Sequence, residues 1–321
     1  AARIDEAFAR VFGRSSTRLS TLSDREPPEG WSNDYATFTP IADLLFDSID
    51  PRRYQVAGRH LYEPVDEPQL KGMGWYVDDP VELYRSLIGA GYVLVDQMGA
   101  RVDGDDPPTA AGARMPLFFT SPHDAGLRHE LLPRIPFPLD HRLAEGWTPG
   151  VVDPADPLGI VCCAHHTIRT TQPDRALRLL VELLGGTVVH QGHDDLLDAR
   201  ATYVHLADTI IELVEDDDAV AEGHDLYTSI AFQVVDVDRL VAAEGAGDVV
   251  GHQDGVDLGH ARCARSRGQS GGVVDLVGRL DLKGLDDRVL VDALEFLRRI
   301  LRQRGVGGLR CVGSRGVRAA T

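Results

Sequence analysis

Two histidines stand side by side in the apolar stretch "LGIVCCAHHTIRTT" (Leu158 to Thr171), and further along one carboxylate, Glu212, interrupts "TIIELVE". Imidazole and carboxylate groups bind divalent ions and move protons near neutral pH. Successive residues of a strand point to opposite faces, so His165 and His166 cannot share a task. His165, Thr167 and Arg169 fall on one face, and His166, Ile168 and Thr170 on the other. By the same alternation Cys163 is expected on the His165 face, without the neighbouring base that a reactive thiol needs. A carboxylate among β-formers is costly to bury unless it is paired or metal-bound, so Glu212 either faces water or has partners. His190, His193 and His123 ("HQGH", "SPHDAG") read as surface or turn residues.

The elements that would position these groups follow from periodicity. "IVCCAHHTIRT" is predicted as a strand and "QPDRALRLLVELLGG" as a helix, with Leu177, Leu180, Val181 and Leu184 at helical spacing and Gly185-Gly186 as the stop. "TVVHQ", "ARATYVHL" and "TIIELVE" read as three further strands, giving a β-α-β-β-β unit.

Parts of that unit recur. "HLADTIIELVED" (His205 to Asp216) aligns with "PIADLLFDSIDP" (Pro40 to Pro51) at a constant offset of 165, which sets Ala207-Asp208 on Ala42-Asp43 and Glu212 on Asp47. "RIDEAFARVFG" resembles the helix of the unit. "MGWYVDDPVELYRSLIGAG" pairs with "IAFQVVDVDRLVAAEGAG" as strand, acidic turn, helix and glycine stop. Self-similarity of this kind implies repeated modules, placed near 1–52, 68–133, 158–217 and 226–280. The Pro/Gly-rich segment 134–157 reads as a linker between an N-terminal pair (1–133) and a C-terminal pair (158–280). Residues 281–321 are expected to hold an amphipathic helix (285–304) and a basic tail, with nine Lys/Arg against five Asp/Glu.

A net charge of −17 disfavours nucleic acid and anionic membranes as partners. Cys162, Cys163, Cys263 and Cys311 form no C-x-x-C pair, so reduced thiols and a cytoplasmic setting are expected. No apolar run reaches 18 residues.

With "HHTIRTTQPDRALRLL", "HLADTIIELVE" and "FFTSPHDAGLRHELLP" in place, the sequence resembles the vicinal oxygen chelate superfamily, which includes glyoxalases, methylmalonyl-CoA epimerase, extradiol dioxygenases and bleomycin-resistance proteins. The resemblance implies an α+β fold: tandem βαβββ modules paired into two cup-shaped domains, each cup able to hold one divalent ion. It makes His165, on the first strand of the third module, and Glu212, on the last, the expected metal ligands, with His166 a packing residue. In the fourth module the positions fall on Ser229, where the family usually has histidine, and on Asp275. His165, Glu212 and Asp275 would suit Mn, Fe, Zn, Ni or Co. In the N-terminal pair the first-strand position of the first module would precede Ala1, and the others are Asp47, Gly72 and Glu130, so that half is expected to be structural or to shape a pocket.

The chemistry so implied is that of a glyoxalase- or epimerase-like lyase or isomerase, acting on a small molecule with vicinal oxygens through a metal-stabilised enediolate, with Glu212 as ligand and base. Extradiol ring cleavage and bleomycin-resistance-like sequestration are the alternatives. A homodimer is compatible with all three.

Overall fold

The computed structural model describes residues 2–235, apart from 24–25, 28, 63, 66–67, 111–113, 195–196 and 217–224, together with the backbone of 262–265 and 274–279. The helix and basic tail expected over 281–321 lie outside the described residues, as does most of the fourth module.

In the N-terminal half, helix α1 (Ala2–Phe12) precedes an antiparallel sheet of β1 (Thr17–Arg18), β2 (Ala36–Ile41) and β3 (Leu44–Ile49). A hairpin of β4 (Gln55–Val56) and β5 (Arg59–His60) follows. Then come β6 (Gly72–Val77), α2 (Pro80–Gly89), β7 (Leu94–Val95), β8 (Arg101–Val102), β9 (Phe118–Thr120), α3 (Pro122–Ala125) and β10 (Arg128–Pro133), whose strands form a sheet in the order β6-β10-β9-β7-β8.

The C-terminal half has β11 (Ile160–Thr170), α4 (Pro173–Leu177), β12 (Thr187–Asp194), β13 (Ala199–Leu206), β14 (Thr209–Glu215), β15 (Leu226–Val234), β16 (Arg262–Arg265) and β17 (Val274–Arg279). Its sheet runs β12-β13-β14-β11-β15-β17-β16. The first and last strands of a module lie side by side and parallel, β6 with β10 and β11 with β14. The architecture is α+β, as expected.

Local chemistry accounts for the elements. Asp79 caps α2, its side chain accepting from Glu82 N at 2.9 Å, with Pro80 where a missing N–H costs nothing. The expected single helix after β11 is instead a short α-helix that widens into a π-turn over Arg178–Leu183 and ends at left-handed Gly185. The internal repeat is visible in the backbone: Ala42 and Ala207 both adopt the left-handed conformation, with φ of 52° and 53°, in the β2–β3 and β13–β14 turns. A tight hairpin that matches strand twist needs positive φ there, which overrides the reluctance of alanine.

The halves share one core. Phe8, Phe12, Ile41 and Leu127 pack with Ile160, Ile168, Leu180, Ile211 and Phe232, and the Phe12 and Phe232 rings lie 5.9 Å apart. Tyr84 and Leu87 of α2 pack on Leu179 of the π-turn. The segment 134–157 is tied down too: Ala42 O is bonded by His141 Nε2 at 2.6 Å.

One contact between the halves is tight enough to test alone. Gly126 has φ +87°, its carbonyl accepts from Asp225 N at 3.0 Å, and a Cβ there would come 1.9 Å from the Asp225 carboxylate. Gly126→Ala is expected to cost about 3 kcal/mol or more, through the backbone conformation and the displaced buried Asp225. Denaturant unfolding measures this, and a loss under ~0.5 kcal/mol would show that the two halves do not meet here.

Candidate metal centre

β11 is the strand on which the site depends, and the N-terminal half helps to shape it. Its pairing with β15 shifts register between Cys163 and His165. Cys163 N is taken by Asp43 Oδ1 at 2.6 Å, from the β2–β3 turn of the other half. This irregularity corrects the expected alternation. Cys163 does not share the face of His165; its Sγ lies 3.5 Å from His166 Nε2, among the residues of the core. Burial raises the Cys163 thiol well above its usual pKa, as befits a packed and unreactive sulfur.

His166 also faces the core. Its Nδ1 shares a hydrogen bond of 2.5 Å with the Tyr227 hydroxyl, and burial, with a smaller contribution from His165, lowers its pKa to about 3. His129 of β10, which accepts from Trp75 Nε1 at 3.0 Å, is lowered by burial to about 4.

Both imidazoles are therefore neutral in the folded chain at pH values where an unfolded chain takes up protons, near 6.5. Between those limits the unfolded state binds more protons, so stability falls as pH falls, by roughly 1.4 kcal/mol per pH unit for each histidine. Acidification from pH 7 to 5 is expected to remove about 2 kcal/mol through each. His129→Gln should therefore show a smaller loss over that interval than the wild type in urea titrations. Equal losses would contradict neutral burial of this ring.

On the other face of β11, His165 meets Glu212. The Nε2 and Oε2 atoms are 3.3 Å apart, His165 is 7% exposed and Glu212 is fully buried. Glu212 therefore has partners instead of facing water. Its Oε2 also accepts from Thr167 Oγ1 at 2.6 Å, and its Oε1 from Tyr203 OH at 2.7 Å. Burial alone would raise this carboxyl, but the bonds from His165, Thr167 and Tyr203 prevail and hold its pKa below the usual value.

These contacts follow from strand register. His190 is paired with Tyr203, Tyr203 with Glu212, Glu212 with Thr167, and Thr167 with Ser229, so five adjacent strands place one polar row across a single face. Neither Tyr203 nor Thr167 carries a sequence signature of its role. His190 and His193, expected in a turn, belong to β12, where both are exposed and His193 pairs with Asp198 at 3.1 Å. His123 is exposed in α3. Arg169 makes an ion pair with Asp216.

Donors that share one ion at about 2.0–2.2 Å each lie roughly 3.0–3.4 Å from each other, so the spacing of His165 and Glu212 fits joint ligation. Ser229 Oγ is a buried hydroxyl with no partner among the described residues. Among the described residues no three His, Cys, Asp or Glu side chains gather closely enough to hold an ion. The Asp275 side chain lies outside the described residues. Its backbone is in β17 opposite Ala264, four residues before Arg279, and Arg279 is the residue that pairs with Ala231 beside His165.

The mirrored positions of the N-terminal half differ. Glu130 pairs with Gly74, as Glu212 does with Thr167, and Gly72 stands where His165 would be. A Cβ on Gly72 would lie 2.3 Å from Arg128 O, so no side chain fits there. Asp47 faces Phe38, the counterpart of Tyr203, and is reached by solvent although protein surrounds it. That crowding, and the Glu130 carboxylate, raise its pKa.

No protein-family model matches the chain, and no curated protein matches it. Among solved structures it is similar to a triple mutant of 4-hydroxymandelate synthase from Streptomyces coelicolor, at 12% identity and a TM-score of 0.52 over 92% of this chain and 95% of that one. It also matches 2,2',3-trihydroxybiphenyl 1,2-dioxygenase from Sphingomonas wittichii (15%, TM-score 0.46, 89% of each chain) and a Mn(II)-bound glyoxalase from Novosphingobium aromaticivorans (14%, TM-score 0.47, 88% and 80%). The chain carries the vicinal oxygen chelate fold. No helix among the described residues is long and apolar enough to cross a membrane.

Proposed function

We propose that the chain is a metal-dependent enzyme of the glyoxalase or epimerase type, in which His165 and Glu212 hold a divalent ion and a small molecule with vicinal oxygens is the substrate. The observation that carries this reading is the 3.3 Å approach of an imidazole to a fully buried carboxylate at the centre of one polar row. When bound, the ion supplies Lewis acidity toward substrate oxygens. Thr167 and Tyr203 orient Glu212 and keep it anionic. The Thr167 and Tyr203 hydroxyls donate to Glu212 whether or not an ion is bound, which favours its anionic form and so the role of ligand over that of base. Glu212, Thr167 and Ser229 are almost wholly buried, so bulk water has little access to them.

One observation favours a second reading, a binding protein that needs no ion: three donors already satisfy Glu212. Ring cleavage has less support, since Ser229 stands where a second histidine would be required. Mn-, Zn- and Fe-loaded protein should therefore catalyse deuterium exchange at a carbon next to a carbonyl, across a panel of 2-oxo and 2-hydroxy compounds, without oxygen uptake on catechols. Oxygen uptake with a catechol would replace this reading by the dioxygenase one. Tight ligand binding with no bound ion and no exchange would leave the binding protein.

A further inference from the structure

We propose that Ser229 contacts the ligand directly: its hydroxyl donates a hydrogen bond to an anionic or carbonyl oxygen of a small molecule held beside His165 and Glu212. The proposal rests on the reading of that site given above and names one of its contacts. Ser229 is 1% exposed and its Oγ has no hydrogen-bond partner among the described residues. The neighbouring Thr228 hydroxyl donates to Thr167 O at 3.3 Å, so a serine or threonine on this strand can find a backbone acceptor. The Ser229 hydroxyl has not done so. It lies opposite Thr167, whose own hydroxyl is engaged with Glu212, and among the described residues it is the last member of the polar row.

A buried, unpaired hydroxyl destabilises a fold, whereas alanine in the same place would not. A group of that kind at the end of a row that includes an imidazole and a carboxylate is accounted for if a ligand oxygen completes it. The ligand must be small, because Thr167, Glu212 and Ser229 are almost wholly enclosed. An acceptor atom on the ligand suits this position, because Thr167 Oγ1 and Tyr203 OH already donate to Glu212 and the Ser229 proton has no acceptor among the described residues.

The test compares the full-length wild type with Ser229→Ala, using Mn²⁺ alone and then acetohydroxamate, a small compound with two adjacent oxygens. Mn²⁺ affinity is expected to stay within about two-fold, because Ser229 is not a ligand, while acetohydroxamate binds about ten-fold more weakly to the loaded variant. Without metal or ligand the variant should melt at the same temperature as the wild type or a few degrees higher. Unchanged acetohydroxamate affinity, or an apoprotein that melts several degrees lower, would overturn the proposal. A wild type that binds no Mn²⁺ would overturn the metal reading instead. The Ser229 contact would then survive only if acetohydroxamate alone raised the melting temperature of the wild type more than that of Ser229→Ala.

Discussion

His165→Ala is expected to weaken binding of a divalent ion by about 100-fold or more, whereas His166→Ala leaves it within a few-fold. The two residues are neighbours, but the strand sends them to opposite faces. His165 meets Glu212 at 3.3 Å, and His166 is buried against Tyr227 and Cys163. Loss of the His166 ring would leave a buried Tyr227 hydroxyl unpaired and open a cavity in the core, so about 3 kcal/mol of stability should go with it. The pair of variants thus separates a binding defect from a folding defect. Titration calorimetry with Mn²⁺ or Zn²⁺, alongside urea unfolding, reads both. Equal losses of ion affinity in the two variants would mean that the faces of β11 are assigned wrongly.

Glu212→Gln should have the second large effect. The substitution keeps the size of the side chain, removes the charge and replaces one acceptor oxygen with an NH₂ donor. That donor would face Thr167 or Tyr203, both of which donate to the native carboxylate. The hydroxyl that met it would have to turn to accept and leave its own proton unpaired in a buried site, which is expected to cost about 2 kcal/mol of stability, and ion affinity should fall by about 100-fold because the anionic ligand is gone. Tyr203→Phe, which removes one orienting bond and leaves the carboxylate, should lower ion affinity far less, by about ten-fold. If Glu212→Gln loses stability but binds ions as the wild type does, the buried carboxylate serves the fold alone.

The parts of this site that could be read from sequence are those governed by short periods. Alternation along β11 separates His165 from His166, and the offset of 165 residues identifies Glu212 as the counterpart of Asp47. The same repeat finds the alanines that turn out left-handed in the two hairpins. Contacts that depend on pairing between strands are not legible in this way. Tyr203 and Thr167 hold Glu212 only because register sets them opposite it, and no local pattern encodes register across distant strands. The shift beside Cys163 reverses the face expected for that thiol, and it is stabilised by Asp43, which is far away in sequence. At Gly72 the sequence shows a missing ligand, and the structure adds that Arg128 O leaves no room for one.

The most direct test of the central claim is the metal content of the full-length protein. Wild type and His165→Ala would each be incubated with Mn²⁺ or Zn²⁺, passed through a desalting column and analysed by atomic emission. The expected result is about one tightly held ion per wild-type chain and less than about a tenth of that in His165→Ala, as ligand loss at a single site requires. Equal retention by the two proteins, or none by either, would contradict the assignment of His165 and Glu212 as a metal centre.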